Sequence, residues 1–227
     1  MALTYKTITE VLDFGPHITK IILETGRPLT GAKLDPAQFS VYVERTAKPG
    51  EEFTWPKFMG ERPDDLMQGT RTVERLYVSD ENGAPAEDGR CITLCMACSP
   101  LAGIGSVIQF DGNFNVFLDV HNVITQTAPI ETADGAISGL VFDVDGGNRM
   151  VYAEWLQTSA FAHPDSDLLY AHYEPVHTAA EKLPLVIWLH GAGEGGHSPL
   201  IAAAANKVVN FLSPELQSYF GGRCGLL

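Results

Sequence analysis

Residues 183–200, LPLVIWLHGAGEGGHSPL, carry a continuous apolar run into a turn that holds Gly191, Gly193, Gly195 and Gly196. The apolar run reads as a strand covered on both faces. Glycines placed directly after such a strand let backbone approach a ligand closely and adopt positive φ, so the turn is suited to presenting backbone N–H groups. His190 and Glu194 are its polar side chains. A bare glycine connection between a strand and a helix uses the same residues with no chemistry, so the surrounding elements must decide between the two.

Other groups offer competing chemistry. Asp143 and Asp145 in FDVDGG, Asp165 and Asp167 in HPDSD, and Glu194 supply carboxylates. Paired at roughly 5 to 9 Å, two of them can act as acid and base on a glycoside. Aspartate beside glycine or proline is more often turn chemistry. His17, His121, His163, His172, His177 and His197 show no spacing that marks a metal site or a catalytic triad. Cys91, Cys95 and Cys98 in CITLCMACSP match the C-x3-C-x2-C spacing of the iron–sulfur loop in radical enzymes that use S-adenosylmethionine. They lie inside an apolar run after a polar turn, however, where period two puts Cys91, Thr93, Cys95 and Ala97 on one face and Ile92, Leu94, Met96 and Cys98 on the other. That pattern predicts a structural strand with buried thiols, and neither metal nor cofactor is expected. Cys224 stands alone near the C-terminal end and argues for no disulfide framework.

Short runs rich in β-branched and aromatic residues recur through residues 1–127: HITKIILET, FSVYVERT, RTVERLYVS, CITLCMAC and NVFLDVHNVIT. Turn clusters such as KPGEE, DENGAPAEDG and FDGN separate them, which predicts an immunoglobulin-like β-sandwich. Trp55, Phe58 and Tyr42 are candidates for stacking on a sugar, although scattered aromatics in a sandwich more simply fill a core. TQTAPIETADGAISG reads as a linker into a second unit, residues 128–227, with strands at GLVFDVDG, MVYAEWLQ, DLLYAHYEPV and PLVIWLHG. Ser198-Pro199 starts a helix over LIAAAANKVVNFL, with Leu200, Ala203, Ala204, Val208 and Phe211 at helical spacing. A shorter helix follows from Ser213-Pro214-Glu215 to Gly221-Gly222. Strand, glycine turn and helix begin a parallel α/β layer.

The net charge of −13 opposes binding to nucleic acid or anionic lipid. No apolar run approaches the ~20 residues of a membrane span, and MALTYKTITEVLDFG lacks the basic and apolar regions of an export signal. Small neutral ligands or other proteins are the expected partners.

LPLVIWLHGAGEGG resembles the strand and oxyanion loop of α/β-hydrolase esterases. With a sandwich ahead of it, the chain resembles bacterial two-domain esterases related to polyhydroxybutyrate depolymerases and the prolyl oligopeptidase clan. The resemblance implies a β-sandwich followed by a partial, three-layer α/β-hydrolase domain, and a small-molecule ester as substrate. It implies Gly191 and Ala192 as backbone donors to the oxyanion, His190 and Glu194 as loop side chains at the site, and Gly193 and Gly195 against the substrate. Relatives of this kind are often exported, but the sequence assigns no compartment.

One part of the pattern is missing. The G-x-S-x-G elbow of the family has no match: GHSPL has Gly196 and Ser198 without the second glycine, and GIGSV at 103–107 lies in the β-unit. After LQSYFGG the resemblance calls for another apolar strand, whereas RCGLL is too short to cross a sheet. The expectation is therefore a chain that stops before its nucleophile, leaves an open α/β sheet edge and forms a homo-oligomer through it. Three functions follow: a hydrolase of carboxylesterase lineage without a recognisable Ser/Asp/His triad, a carboxylate-based glycoside hydrolase, or a non-catalytic module that binds carbohydrate or a partner.

Overall fold

The alternation in LTYKTITEVL makes Leu3–Leu12 a strand, β1, and Gly15 at φ +101° turns the chain back into Gly15–Glu24, β2. The computed structural model describes residues 2–49, 53–62, 66–101, 103–162, 168–178, 180–195 and 198–227. The chain continues through β3 (Phe39–Ala47), β4 (Gln68–Arg71), β5 (Val73–Ser79), β6 (Cys91–Met96), β7 (Ile108–Phe110) and β8 (Asn115–Gln126). Next come β9 (Ile130–Thr132), β10 (Gly135–Ile137), β11 (Val141–Met150), β12 (Gln157–Phe161), β13 (Leu168–His172), β14 (Leu185–Val186) and β15 (Gly225–Leu226). The helices α1 (Pro199–Ala205) and α2 (Pro214–Ser218) lie between the last two strands.

The strands expected at residues 17–25, 39–46, 71–79, 91–98 and 115–125 are present as β2, β3, β4 with β5, β6 and β8. They form one hydrogen-bonded sheet, in the order β4-β3-β8-β11-β1-β2-β6-β5, with β7 added to β8. The link between its halves is β11, antiparallel to β8 and parallel to β1. GLVFDVDG, assigned from sequence to the second unit, thus belongs to the first sheet, because Phe142 pairs with both Ile124 and Leu3. The sheet curls around a core that includes Tyr5, Ile21, Leu23, Val43, Ile92, Leu94, Ile124 and Phe142. The side chain of Arg71 on β4 donates to the carbonyl of Ile18 on β2 at 2.8 Å, across the curl. All of β6 is buried as expected: Ile92, Leu94 and Met96 enter the main core, and Cys91 packs with Ile8 and Ile22 on the opposite face.

Leaving β11, Tyr152 takes a positive φ of 68° and its ring packs at 5.4 Å from that of Trp155. The β12–β13 hairpin follows, and Tyr173 just beyond it makes an antiparallel bridge to Leu226. β15 runs parallel to β14, so residues 185–226 form a β-α-β unit whose crossover is α1, a 3-10 turn at Val208–Leu212, and α2. A parallel pair needs a crossover of this kind. RCGLL, expected to be too short to cross a sheet, supplies only the two residues of this pairing, Gly225 and Leu226. The expected helix over residues 200–212 is broken after Ala205, where Lys207 adopts the left-handed conformation at φ +63°. The buried residues there are Ile201, Ala203, Ala204, Val208, Val209 and Leu212. Ser213 caps α2 by accepting the Leu216 N–H at 3.2 Å.

PLVIWLHG differs most from its expected setting. Only Leu185–Val186 is regular strand, and Leu185, Ile187 and Leu189 are 57, 60 and 85 % exposed. The run lies at the edge of its small sheet, so one side pairs with residues 225–227 while the other faces solvent among the described residues. The two parts of the chain share a second core, in which Val11 and Met150 from the large sheet pack with Ala204, Val208, Val209 and Leu226.

Candidate functional site

The glycine loop sits where the second unit meets the turn between β7 and β8. Gly191 and Ala192 are exposed, whereas Gly193, Glu194 and Gly195 are half-buried. The backbone N–H of Gly191 donates to the Glu194 carboxylate at 3.1 Å, and the Glu194 N–H turns back toward the Gly191 carbonyl at 3.4 Å. The His190 ring contacts the Gly191 carbonyl through Nδ1 at 2.9 Å. A carboxylate oxygen therefore occupies the N–H that the resemblance implies as an oxyanion donor. Such a charge-assisted bond shows that the N–H is oriented to receive a negative oxygen.

The loop is shaped by neighbours in the first sheet. Gly193 has φ +89°, and a Cβ there would lie 3.3 Å from Phe110. A Cβ on Gly195 would meet Phe114 at 3.3 Å and His190 at 3.4 Å. Asn115, the first residue of β8, donates its backbone N–H to the Gly193 carbonyl at 2.6 Å. The turn that presents these residues is fixed by Asp111, whose carboxylate accepts the N–H groups of Asn113 and Phe114, each at 2.8 Å. Phe110, Phe114 and Asn115 were missed in the sequence: FDGN marks a turn, but no spacing connects residue 110 to residue 193.

Beside the loop lies a cavity of about 510 Å³, lined mainly by apolar residues including Phe161, Leu169, Ile187 and Trp188. His190, Glu194 and Gly195 form its polar corner. An apolar hollow with a few convergent polar groups is the usual form of a small-molecule site.

The remaining candidates disperse. Asp143 is bound to His121 at 2.6 Å, and the Nδ1 of that imidazole lies 3.4 Å from the Tyr5 hydroxyl. Burial pushes the Tyr5 hydroxyl pKa up, so it stays protonated. Asp145 accepts the Gly147 N–H at 2.8 Å, which is turn chemistry. Asp165, Asp167, His163, Gly196 and His197 lie outside the described residues. His17 is buried, and His177 contacts Glu174 at 3.5 Å. Ser106 of GIGSV is buried and donates to the Ile108 carbonyl at 3.0 Å, while Ser198 only precedes α1. Trp55 donates to the Gly60 carbonyl at 2.8 Å, Tyr42 lies half-buried in β3, and Phe58 stands edge-on to Phe110 at 6.4 Å. Among the described residues no group of three or more metal-ligating side chains converges.

Comparison with known proteins bears on the fold. The chain is similar over 98 % of its length to a solved thermostable esterase, with a TM-score of 0.76 and 21 % identity. It covers 56 % of that esterase, so it spans little more than half of the relative's length. That likeness establishes a shared fold through both parts of the chain. No curated protein matches it. The family described as esterase Ig-like N-terminal domain matches residues 4–139, which include most of the curled sheet, and the chain belongs to that family.

Proposed function

We propose that the protein is a hydrolase of carboxylesterase lineage in which loop 190–195 is the oxyanion-binding half of a serine-esterase site. In this reading the Ig-like unit extends through β11, and β12 to β15 with their helices open an α/β-hydrolase layer. The observation that carries the proposal is the Gly191 N–H, exposed and already turned to an anionic oxygen at 3.1 Å. Gly191 and Ala192 polarise the ester carbonyl and receive the negative charge that develops on its oxygen. Glu194 occupies the first of these donors at rest. It swings aside when an ester enters, because a carboxylate left on this N–H would take the place of the carbonyl oxygen and repel the negative charge that develops on it. No recognisable Ser/Asp/His triad accompanies the loop in these 227 residues, so the loop's own contribution is binding and charge stabilisation.

The test is hydrolysis of 4-nitrophenyl acetate by the chain and by Gly191→Pro, which deletes the donor. The proposal expects a slow rate above buffer that falls at least ~10-fold in the variant. A rate equal to that of buffer, or one that the variant leaves unchanged, would contradict it.

A further inference from the structure

Three phenylalanines form a band along the face of the Ig-like unit that meets the glycine loop. Phe58 is 76 % exposed and Phe114 is 44 % exposed, with Phe110 packed edge-on to Phe58. The turn itself does not require a ring at position 114. Its bonds come from backbone: the Phe114 N–H donates to Asp111, and the Phe114 carbonyl accepts the Asp111 N–H at 3.0 Å. An aromatic ring held partly in water forgoes the ~25 cal/mol per Å² that burial contributes, and such groups beside a polar corner mark ligand contacts. The ring of Phe114 lies against Gly195, 3.3 Å from where a Cβ on that glycine would stand, and the His190 ring lies 3.4 Å from the same point, so both rings flank the loop that carries the Gly191 donor.

We propose that Phe114, backed by Phe110 and Phe58, is the specificity wall of the site and selects esters whose acyl group carries an apolar, flat ring, such as an arylacetyl ester. The inference rests on loop 190–195 being the oxyanion site. The Ig-like unit then has two roles there. Asn115 and Phe110 position the glycine loop, and Phe114 contacts the acyl group while the carbonyl oxygen rests on Gly191. A flat ring gains from offset or edge-on packing against phenylalanine, whereas an acetyl group is too small to reach it.

The acid product of hydrolysis keeps the acyl group and a carboxylate, so acetate and phenylacetate serve as probes. Each is titrated into the 15N-labelled full chain while the Gly191 amide is followed by NMR. Phenylacetate is expected to bind about 10-fold more tightly than acetate. Phe114→Ala should reduce that preference below about twofold, and Phe114→Tyr should retain it. An Asn115 amide at its wild-type position in Phe114→Ala shows that the turn is intact. If that amide moves, Phe58→Ala decides instead, because an exposed ring can be removed without disturbing the fold, and a smaller but measurable loss of preference is expected. Equal affinities for the two acids in the wild type, with Gly191 still responding to acetate, would overturn the wall and leave the oxyanion reading in place. A preference that survives both alanine variants would also overturn it. No response of Gly191 to either acid would remove both.

Discussion

The N–H of Asn115 and the carbonyl of Gly193 are joined by a 2.6 Å hydrogen bond, which fastens the glycine loop to the Ig-like unit. The loop's conformation is thus set by a turn almost eighty positions earlier in the chain. Substitutions on either side of this contact should alter the loop in ways that its own sequence does not reveal.

Two glycines in the loop should respond differently. At Gly193, with φ +89° and Phe110 3.3 Å from an added Cβ, alanine is strained by both backbone and neighbour. Gly193→Ala is expected to cost about 1–3 kcal/mol. Gly191 has nothing within 4 Å of an added Cβ, and Gly191→Ala should stay within about 0.5 kcal/mol of the wild type. Urea unfolding of both variants checks the contrast.

Arg45 supports the same region from beneath. It is 2 % exposed, and its guanidinium donates to the carbonyls of Leu66 and Ile108, each within 2.8 Å, with burial pushing its pKa down to about 10. Arg45→Ala would leave these carbonyls unpaired and a void behind, and should cost about 3–5 kcal/mol. Arg45→Lys should recover only part of that, since an ammonium lacks the fork that spans two acceptors. Denaturant midpoints of the three proteins give the order directly.

Acid should weaken the fold through His17. Its ring is 3 % exposed, burial holds its pKa below 6.5, and nearby Arg71 and Arg45 push in the same direction. The unfolded chain therefore takes up this proton first as pH falls. Stability linked to His17 is complete above about pH 6.5 and is lost as pH drops from there toward the lower folded-state pKa. His17→Gln should unfold with a shallower pH dependence than the wild type between pH 7 and pH 5. Parallel slopes in that interval would show that His17 does not titrate differently on folding.

Among the described residues the edge at 185–189 is open, and the 227-residue chain by itself is expected to self-associate through it. Leu185, Ile187 and Leu189 are all more than half exposed beside an open strand, and such an edge accepts a second strand readily. Sedimentation should show concentration-dependent oligomers, and Ile187→Lys should shift them toward monomer. A wild type that remains monomeric at high concentration would contradict this.

The sequence disclosed local structure better than it disclosed partnership. The β-branched run HITKIILET identified β2, and alternation in CITLCMAC identified β6, including the division of Cys91 and Ile92 between opposite faces, because strand period is written in successive residues. Ser213-Pro214 likewise marked the start of α2. The membership of β11 did not show, since whether FDVDGG pairs with Leu3 or with a later strand depends on contacts remote in sequence. Nor did the exposure of Ile187 and Leu189, because an apolar run reports what a strand can bury and not what lies over it. The loop glycines were legible as a turn whose backbone comes close to its neighbours, as Gly193 and Gly195 do to Phe110 and Phe114. The carboxylate that meets Gly191 and the phenylalanines that flank the loop were not, because both depend on how the chain folds back on itself.

Gly191 is the central anion donor of the proposed site, and Glu194 competes for it. The decisive measurement is the 15N shift of the Gly191 amide during acetate titration of the wild type and of Glu194→Ala. Removing the internal carboxylate should tighten acetate binding about 5-fold, the worth of one exposed hydrogen bond of about 1 kcal/mol, with the largest shifts at Gly191 and Ala192. A Gly191 amide unmoved by acetate in both proteins would contradict the assignment of this loop as an oxyanion site.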